Sequence, residues 1–254
     1  MATDQQYMII DGALHQRQHL DGAYIYQNIH TLEWTPRHTE RHVEILRTLA
    51  LELFGIECDF SAGQIAEQIA LLLETERPSR QRSIRVEIRQ YASGSYTIEC
   101  DAPSLYRGYA LRSLRPEAAT IRIAVPLEAF PTSAAVATCE VADSIARSRD
   151  FHTAILMDDS GTICSPASQP IAIVHERRLL LAPAPYSIES EIVERAARKA
   201  QIEVERRAIS HRDVAQADEV LSISWQGITA MQKVDNKTYM SIVAERLASE
   251  MEKL

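Results

Sequence analysis

Lysine is nearly absent from this chain. Of 27 basic residues only Lys199, Lys233, Lys237 and Lys253 are lysines, and none of the 198 positions before Lys199 carries one. Chemistry that needs a side-chain amine is confined to those four places. Glycine is sparse too, at eight residues. No Gly-x-Ser-x-Gly elbow, P-loop or Rossmann glycine pattern occurs, so those architectures are set aside. The four cysteines, Cys58, Cys100, Cys139 and Cys164, form no Cys-x-x-Cys pair. They read as buried free thiols rather than zinc ligands, and no metal site is expected. Positive charge is in deficit, with a net charge of −8, which gives a nucleic-acid partner no bulk electrostatic support. No apolar run approaches the ~18 residues of a membrane span, and "MATDQQYMIIDGALHQ" has no basic segment leading into an apolar one. The expectation is a soluble cytoplasmic protein with no membrane partner.

What is present is ordinary globular composition, 46% hydrophobic and 24% charged, in a length that fits one large domain or two smaller ones. Ala23–Ile29 reads as a strand. A helix follows with Thr35 as N-cap, Pro36 at the first helical position and Gly55 as terminator. Val43, Leu46, Leu49, Ala50 and Leu53 form its apolar stripe. A second helix starts at Ser61 and carries Ile65, Ile69, Leu72 and Leu73. Ser83 to Asp101 alternates around Ser93-Gly94, the signature of a hairpin. Pro103, Pro116, Pro126 and Pro131 then crowd one stretch. The domain boundary is placed at its end, giving a smaller domain over 1–128, a linker near 129–131 and a larger domain over 132–254.

The second part reads as a helix over Ala135–Arg149, then "DFHTAILMDDSGTICSPASQPIAIV", which alternates like a hairpin about Asp-Ser-Gly. A strand in "RRLLLAPA" follows, and a helix capped by Ser187 leads into another strand. "ADEVLSISW" and "ITAMQKVDN" are two more strands, and an amphipathic helix from Lys237 closes the chain. Mixed runs of strands and helices imply an α+β fold in two domains.

Several stretches, taken in order, resemble the class IV aminotransferases, the fold-type IV pyridoxal-phosphate enzymes. That group includes branched-chain and D-amino-acid aminotransferases and aminodeoxychorismate lyase. "LDGAYIY" is similar to the family's early strand and "RHVEILRTLA" to its His-x-x-Arg-Leu helix. "SIARSRDFHTAILMDDSGTI" resembles the segment entering its central hairpin, "APYSIESEIVERAARKAQIEV" its phosphate-binding helix, and "ADEVLSIS" its ADE strand. The resemblance spans nearly the whole chain. It implies the D-amino-acid-aminotransferase-like two-domain fold, a ligand crevice between domains and a homodimer.

The residues at the family's functional positions depart from it. The Schiff-base lysine falls at Pro131, and the glutamate that would bond the pyridine nitrogen falls at Ser165, with Pro170 where an asparagine usually follows. The phosphate-binding arginine falls at Ile45 when His42 is the anchor; a register from His38 to Arg41 keeps an arginine. The Gly-Ile-Thr-Arg helix start becomes "SIES", ending at Ser190. Without an amine there is no internal aldimine, and without the carboxylate the electron sink weakens. Ile45 offers a phosphate no charge-assisted bond, and Glu189 would compete for the anion position at a helix start.

Other candidates are weighed against plain structural roles. Arg77, Arg80, Arg82, Arg85 and Arg89 read as a solvated loop and outer strand face, with Arg89 a candidate for binding a ligand carboxylate. Tyr24 and Tyr26 read first as packing residues, Tyr24 also as a pocket wall. Trp225 is large enough to fill a vacated pocket, while Ser224 and Gln226 satisfy polar groups around it. His38 and His42 have i, i+4 spacing but read as a surface pair. The expected function is a class IV aminotransferase-like protein that has lost its pyridoxal-phosphate site. It is non-catalytic or of altered chemistry, with no cofactor, and takes a small anionic or amino-acid-like ligand or a protein partner. An active pyridoxal-phosphate aminotransferase or lyase is the alternative, and cofactor-independent chemistry in the same crevice the second.

Overall fold

A computed structural model describes residues 6–112 and 114–254. The first five residues, part of the segment read as lacking a leader, lie outside the described residues. The chain divides into two compact units, residues 1–108 and 109–254.

The first unit opens with β1 (Tyr7–Ile10) and β2 (Ala13–Gln16), followed by β3 (Tyr24–Leu32) and β4 (Thr35–Pro36). Helices α1 (Thr39–Phe54) and α2 (Ala62–Glu76) come next, then β5 (Ile84–Tyr91) and β6 (Tyr96–Cys100). The strands form one sheet in the order β2-β1-β6-β5-β3-β4, antiparallel at every pairing. The hairpin of β5 and β6 turns where the sequence places it, with Gly94 at φ 100, a conformation that suits a residue without Cβ. Leu46, Leu49, Ala50, Ile65, Ile69, Leu72 and Leu73 are fully buried, so both helical stripes face the core, although Leu53 is only half-buried. Ser61 caps α2 in a reciprocal capping box with Gln64.

The start of α1 differs from expectation. Thr35 and Pro36 are not a cap and first turn but a strand, paired with Leu32 and Thr31 across Glu33-Trp34. Both turn residues have positive φ, 53 and 65, the handedness that suits a two-residue hairpin. Tertiary contacts hold them there: Trp34 Nε1 donates to Pro78 O at 3.1 Å, and Arg80 lies over the indole at 3.8 Å. The helix begins only at Thr39, with His38 in the left-handed region, and ends as expected at Gly55.

The second unit contains β7 (Ala110–Leu111), β8 (Glu117–Arg122), α3 (Ser133–Arg147), β9 (Thr153–Met157), β10 (Ile171–His175) and β11 (Arg178–Leu181). It continues with α4 (Ile188–Lys199), β12 (Glu203–Arg206), α5 (His211–Gln216), β13 (Glu219–Ser224), β14 (Gly227–Ala230), β15 (Lys233–Val234), β16 (Lys237–Thr238) and α6 (Ile242–Met251). Six strands form one sheet, β12-β11-β10-β13-β14-β7, and four form another, β16-β15-β8-β9. Alternation along the strands supplies the layers. Ala118, Ile155, Ile171, Ile173, Leu180 and Val220 meet in one core that joins both sheets. The next residues along β8 and β9, Ala119 and Leu156, join Ala135, Ala142 and Ala146 of α3 in a second core. Neighbouring Ala172, Leu179, Leu181 and Leu221 are buried as well, so these strands are covered on both faces.

Three boundaries move. The expected linker at 129–131 lies inside the second unit, in the turn before α3, where Phe130 stacks on Tyr186 with centroids 5.4 Å apart. The division falls earlier because β7 pairs with β14 and β8 with β9 and β15, binding residues after 109 to the second unit. The expected hairpin from Asp150 to Val174 is not one: β9 runs parallel to β8, whereas β10 pairs with β11 and β13 in the other sheet. Only Met157 and Ile163 bridge at the turn, where Asp158 Oδ1 accepts the Ser160 and Thr162 N–H groups. The closing helix starts at Ile242 rather than Lys237, since Lys237 and Thr238 pair with Val234 and Lys233.

Candidate functional site

Tyr24 and Arg89 lie on adjacent strands of the first unit, where β3 places Tyr26 opposite Arg89 and Tyr24 one step along. The guanidinium carbon of Arg89 lies 5.0 Å from the Tyr24 ring centre. Arg89 is not a free carboxylate receptor. Its Nε donates to Glu87 Oε1 at 2.5 Å and its Nη1 to Glu99 Oε1 at 3.0 Å. Arg17 takes the other oxygen of Glu99 at 2.7 Å, and Arg85 reaches Glu87 at 3.3 Å and Asp101 at 2.7 Å. Burial alone would lower the Arg89 pKa, but Glu87 and Glu99 outweigh it and hold the group more firmly protonated than usual. The arginine-rich stretch is therefore largely a structural network, with Arg82 also bound to Leu105 O at 2.8 Å.

His38 and His42 are not a surface pair. His42 is buried, and its Nδ1 lies 2.8 Å from Gln27 Oε1, so that ring nitrogen is the donor. Burial first, and His38 second, push its pKa down to about 3, leaving it neutral. One turn on, Ile45 is 2% exposed, inside the core of the first unit. The cysteines are all free, and only Cys139 is partly exposed. Burial raises Cys100 to about 12 and Cys139 and Cys164 to about 11, so these thiols stay protonated and are poor nucleophiles near neutrality. Among the described residues no three His, Cys, Asp or Glu side chains gather into a metal-binding group.

In the second unit Pro131 is buried just before Thr132, the N-cap of α3. Ser165 is buried, and its Oγ accepts the Ile171 N–H at 2.9 Å. Its own N–H donates to the Glu128 carboxylate, so an acid does stand at this place, supplied by the preceding turn. At the start of α4 Ser187 Oγ accepts the Ser190 N–H at 3.3 Å. Ser190 is fully buried, and Arg206 donates to its Oγ and carbonyl at 3.3 and 3.4 Å. Glu189 is held less readily as an anion at the helix start than its sequence position suggests. It is only 8% exposed, its Oε1 has no partner, and burial pushes its pKa up to about 7 against the opposing bonds from its own N–H and from Ser187.

The β13–β14 turn holds Trp225 and Gln226, both half-buried. Ser224 Oγ accepts the Gln226 N–H at 3.3 Å, and Gln226 O accepts from Ala110 N at 3.0 Å. Trp225 is thus seated in a hairpin turn, and its neighbours serve the turn itself. Sequence reasoning missed Glu128, Arg206, and the role of Glu219 in "ADEVLSIS". Both Glu219 oxygens cap α6, accepting from Val243 N at 2.7 Å and Ala244 N at 2.9 Å. An acid standing just before the apolar run of this strand is the only sequence signal that could have marked this one.

These strands and helix starts define a class of fold, and the sequence matches the same class. Residues 32–234 match the family described as amino-transferase class IV, and the chain belongs to that family. Among solved structures it is similar to the branched-chain aminotransferase from the archaeon Thermoproteus uzoniensis with norvaline, with a TM-score of 0.81 and 15% identity, covering 98% of this chain and 94% of that one. The Escherichia coli branched-chain amino acid aminotransferase gives 0.78 and 16%, covering 96% and 92%. A putative branched-chain amino acid aminotransferase from Thermotoga maritima gives 0.77 and 16%, covering 97% and 94%. At such identity these likenesses show the fold alone. No curated protein matches the chain in sequence. Among the described residues no helix is long and apolar enough to cross a membrane.

Proposed function

We propose that this chain keeps the class IV aminotransferase fold without its pyridoxal-phosphate machinery, and works as a homodimeric small-molecule-binding or partner protein, or through altered chemistry. The placement of the four lysines carries this reading. Lys237 Nζ donates to the Ala215 and Ala217 carbonyls at 2.9 and 2.6 Å, closing the end of α5. Lys233 pairs with Glu117 at 3.6 Å, Lys253 with Glu250 at 2.6 Å, and Lys199 is exposed at the end of α4. None is the buried, desolvated amine that forms a stable Schiff base.

The remaining positions do not fit the cofactor either. A phosphate at the start of α4 would meet the buried Glu189 carboxyl and a Ser190 N–H already taken by Ser187. Ile45 brings no charge. One observation favours the rival reading of an active pyridoxal-phosphate enzyme: the Glu128 carboxylate beside Ser165, where the family's pyridine-binding glutamate is expected.

An absorbance spectrum of the purified protein, followed by borohydride reduction and intact mass spectrometry, separates the two. The expected result is no visible-edge aldimine band and no phosphopyridoxyl adduct after incubation with pyridoxal phosphate. A stoichiometric adduct on any of the four lysines would overturn the proposal and restore the active enzyme.

A further inference from the structure

Residues 109–254 form an open pocket of about 180 Å³ whose lining does not include Pro131, Ser165, Ser190 or the Ser224–Gln226 turn. Arg112 stands in its wall, together with His152, Gln169, Ser222 and Thr229. The guanidinium is underused. Its Nη1 reaches Thr229 Oγ1 only at 3.5 Å, the limit of a hydrogen bond, and its buried Nε has no partner. A buried N–H without an acceptor is costly, and on a half-buried guanidinium facing a pocket it asks for an occupant.

The other polar side chains can each donate a hydrogen bond. His152 Nδ1 accepts the Glu117 N–H at 3.1 Å, so the neutral ring carries its proton on Nε2. Gln169 contributes an amide, and Ser222 and Thr229 contribute hydroxyls. Among the described residues no carboxylate lines the pocket. The acids on adjoining elements are engaged elsewhere: Asp143 Oδ1 accepts from Thr153 Oγ1 and Ala154 N at 2.8 Å each, and Glu117 pairs with Lys233. Leu114, Pro116 and Met231 complete the lining with apolar surface.

We propose that this pocket binds a small organic carboxylate, with Arg112 as the residue that receives the anion. A planar guanidinium presents paired N–H groups that match the two oxygens of a carboxylate. One guanidinium balances one negative charge, which favours a carboxylate over a phosphate dianion. The apolar lining accommodates a short carbon skeleton. The site stands whether or not the chain binds pyridoxal phosphate.

The test is calorimetric titration of the full chain with propionate, with neutral propionamide of the same shape, and with inorganic phosphate. Propionate is expected to bind more tightly than the other two. Arg112→Met should weaken it about tenfold or more, the loss of one charge-assisted hydrogen bond. Arg112→Lys should fall between, and Ser222→Ala should weaken it a few-fold; these two variants carry the test if Arg112→Met does not fold. No propionate binding, equal binding of propionamide, binding of phosphate alone, or propionate affinity unchanged in Arg112→Lys and Ser222→Ala would each overturn the assignment.

Discussion

Glu189→Gln offers a direct measure of what the start of α4 tolerates. The carboxyl is 8% exposed, with Oε2 3.5 Å from Ser187 Oγ and Oε1 buried without a partner. The helix dipole and the nearby N–H groups favour its charge, but desolvation wins and raises its pKa from 4.5 to about 7. A change of that size corresponds to roughly 3 kcal/mol. Between those two values the folded chain holds a proton that the unfolded chain has released. Stability from this group is therefore complete below the unfolded value and is lost as pH rises through the folded one. Glutamine cannot ionise, so the variant escapes this loss. Its amide adds an offset of ~1 kcal/mol for an imperfectly bonded group, but that offset does not change with pH. Urea denaturation of both proteins at about pH 5 and about pH 8 should show the difference moving in favour of glutamine by roughly 2–3 kcal/mol. The other titrating groups cancel in the comparison. A difference that stays constant across the range would refute the assignment of Glu189 as a buried acid with a raised pKa.

Leu46 is fully buried on α1, and Leu46→Ala should cost roughly 2–5 kcal/mol, read from the denaturant midpoint; a negligible change would mean the helix presents another face to the core. Gly227 has φ 114, and an added Cβ would lie 2.6 Å from Ala110 N and closer still to Ala110 O, so Gly227→Ala should push β7 off β14 at a cost of about 1–3 kcal/mol. Hydrogen exchange reads this locally, because the Ala110 and Arg112 N–H groups are bonded to Gln226 O and Ile228 O. Protection of those amides equal to that of the unsubstituted protein would defeat the prediction.

Local chemistry made much of the fold legible. The helix start at Ser61, the terminator Gly55, the Ser93-Gly94 turn and the Ser187 cap act within a few residues of themselves, so the sequence alone determined them. The apolar stripes of α1 and α2 also follow from helical period alone. The family resemblance was legible for a related reason: its stretches keep their order and rough spacing along the whole chain. The absence of lysine before Lys199 is likewise a property of the sequence by itself, and it leaves no amine at the position where the family resemblance places one.

Tertiary structure decided the rest. Thr35 and Pro36 carry good helix-start chemistry, yet pairing with β3 and the seating of Trp34 against Pro78 and Arg80 claim them for a strand. The two apolar runs around Asp158 look like a hairpin because alternation gives a strand its faces but does not name its partner; β9 and β10 are each covered on both sides and lie in different sheets. Buried charge is the least readable of all. Whether Arg89 is free, whether Glu189 is ionised, whether His42 is exposed and whether Arg112 lacks an acceptor depend on residues distant in sequence, such as Glu99 beside Arg89 and Thr229 beside Arg112. Desolvation and pairing are set by packing, and no short stretch of sequence contains both partners.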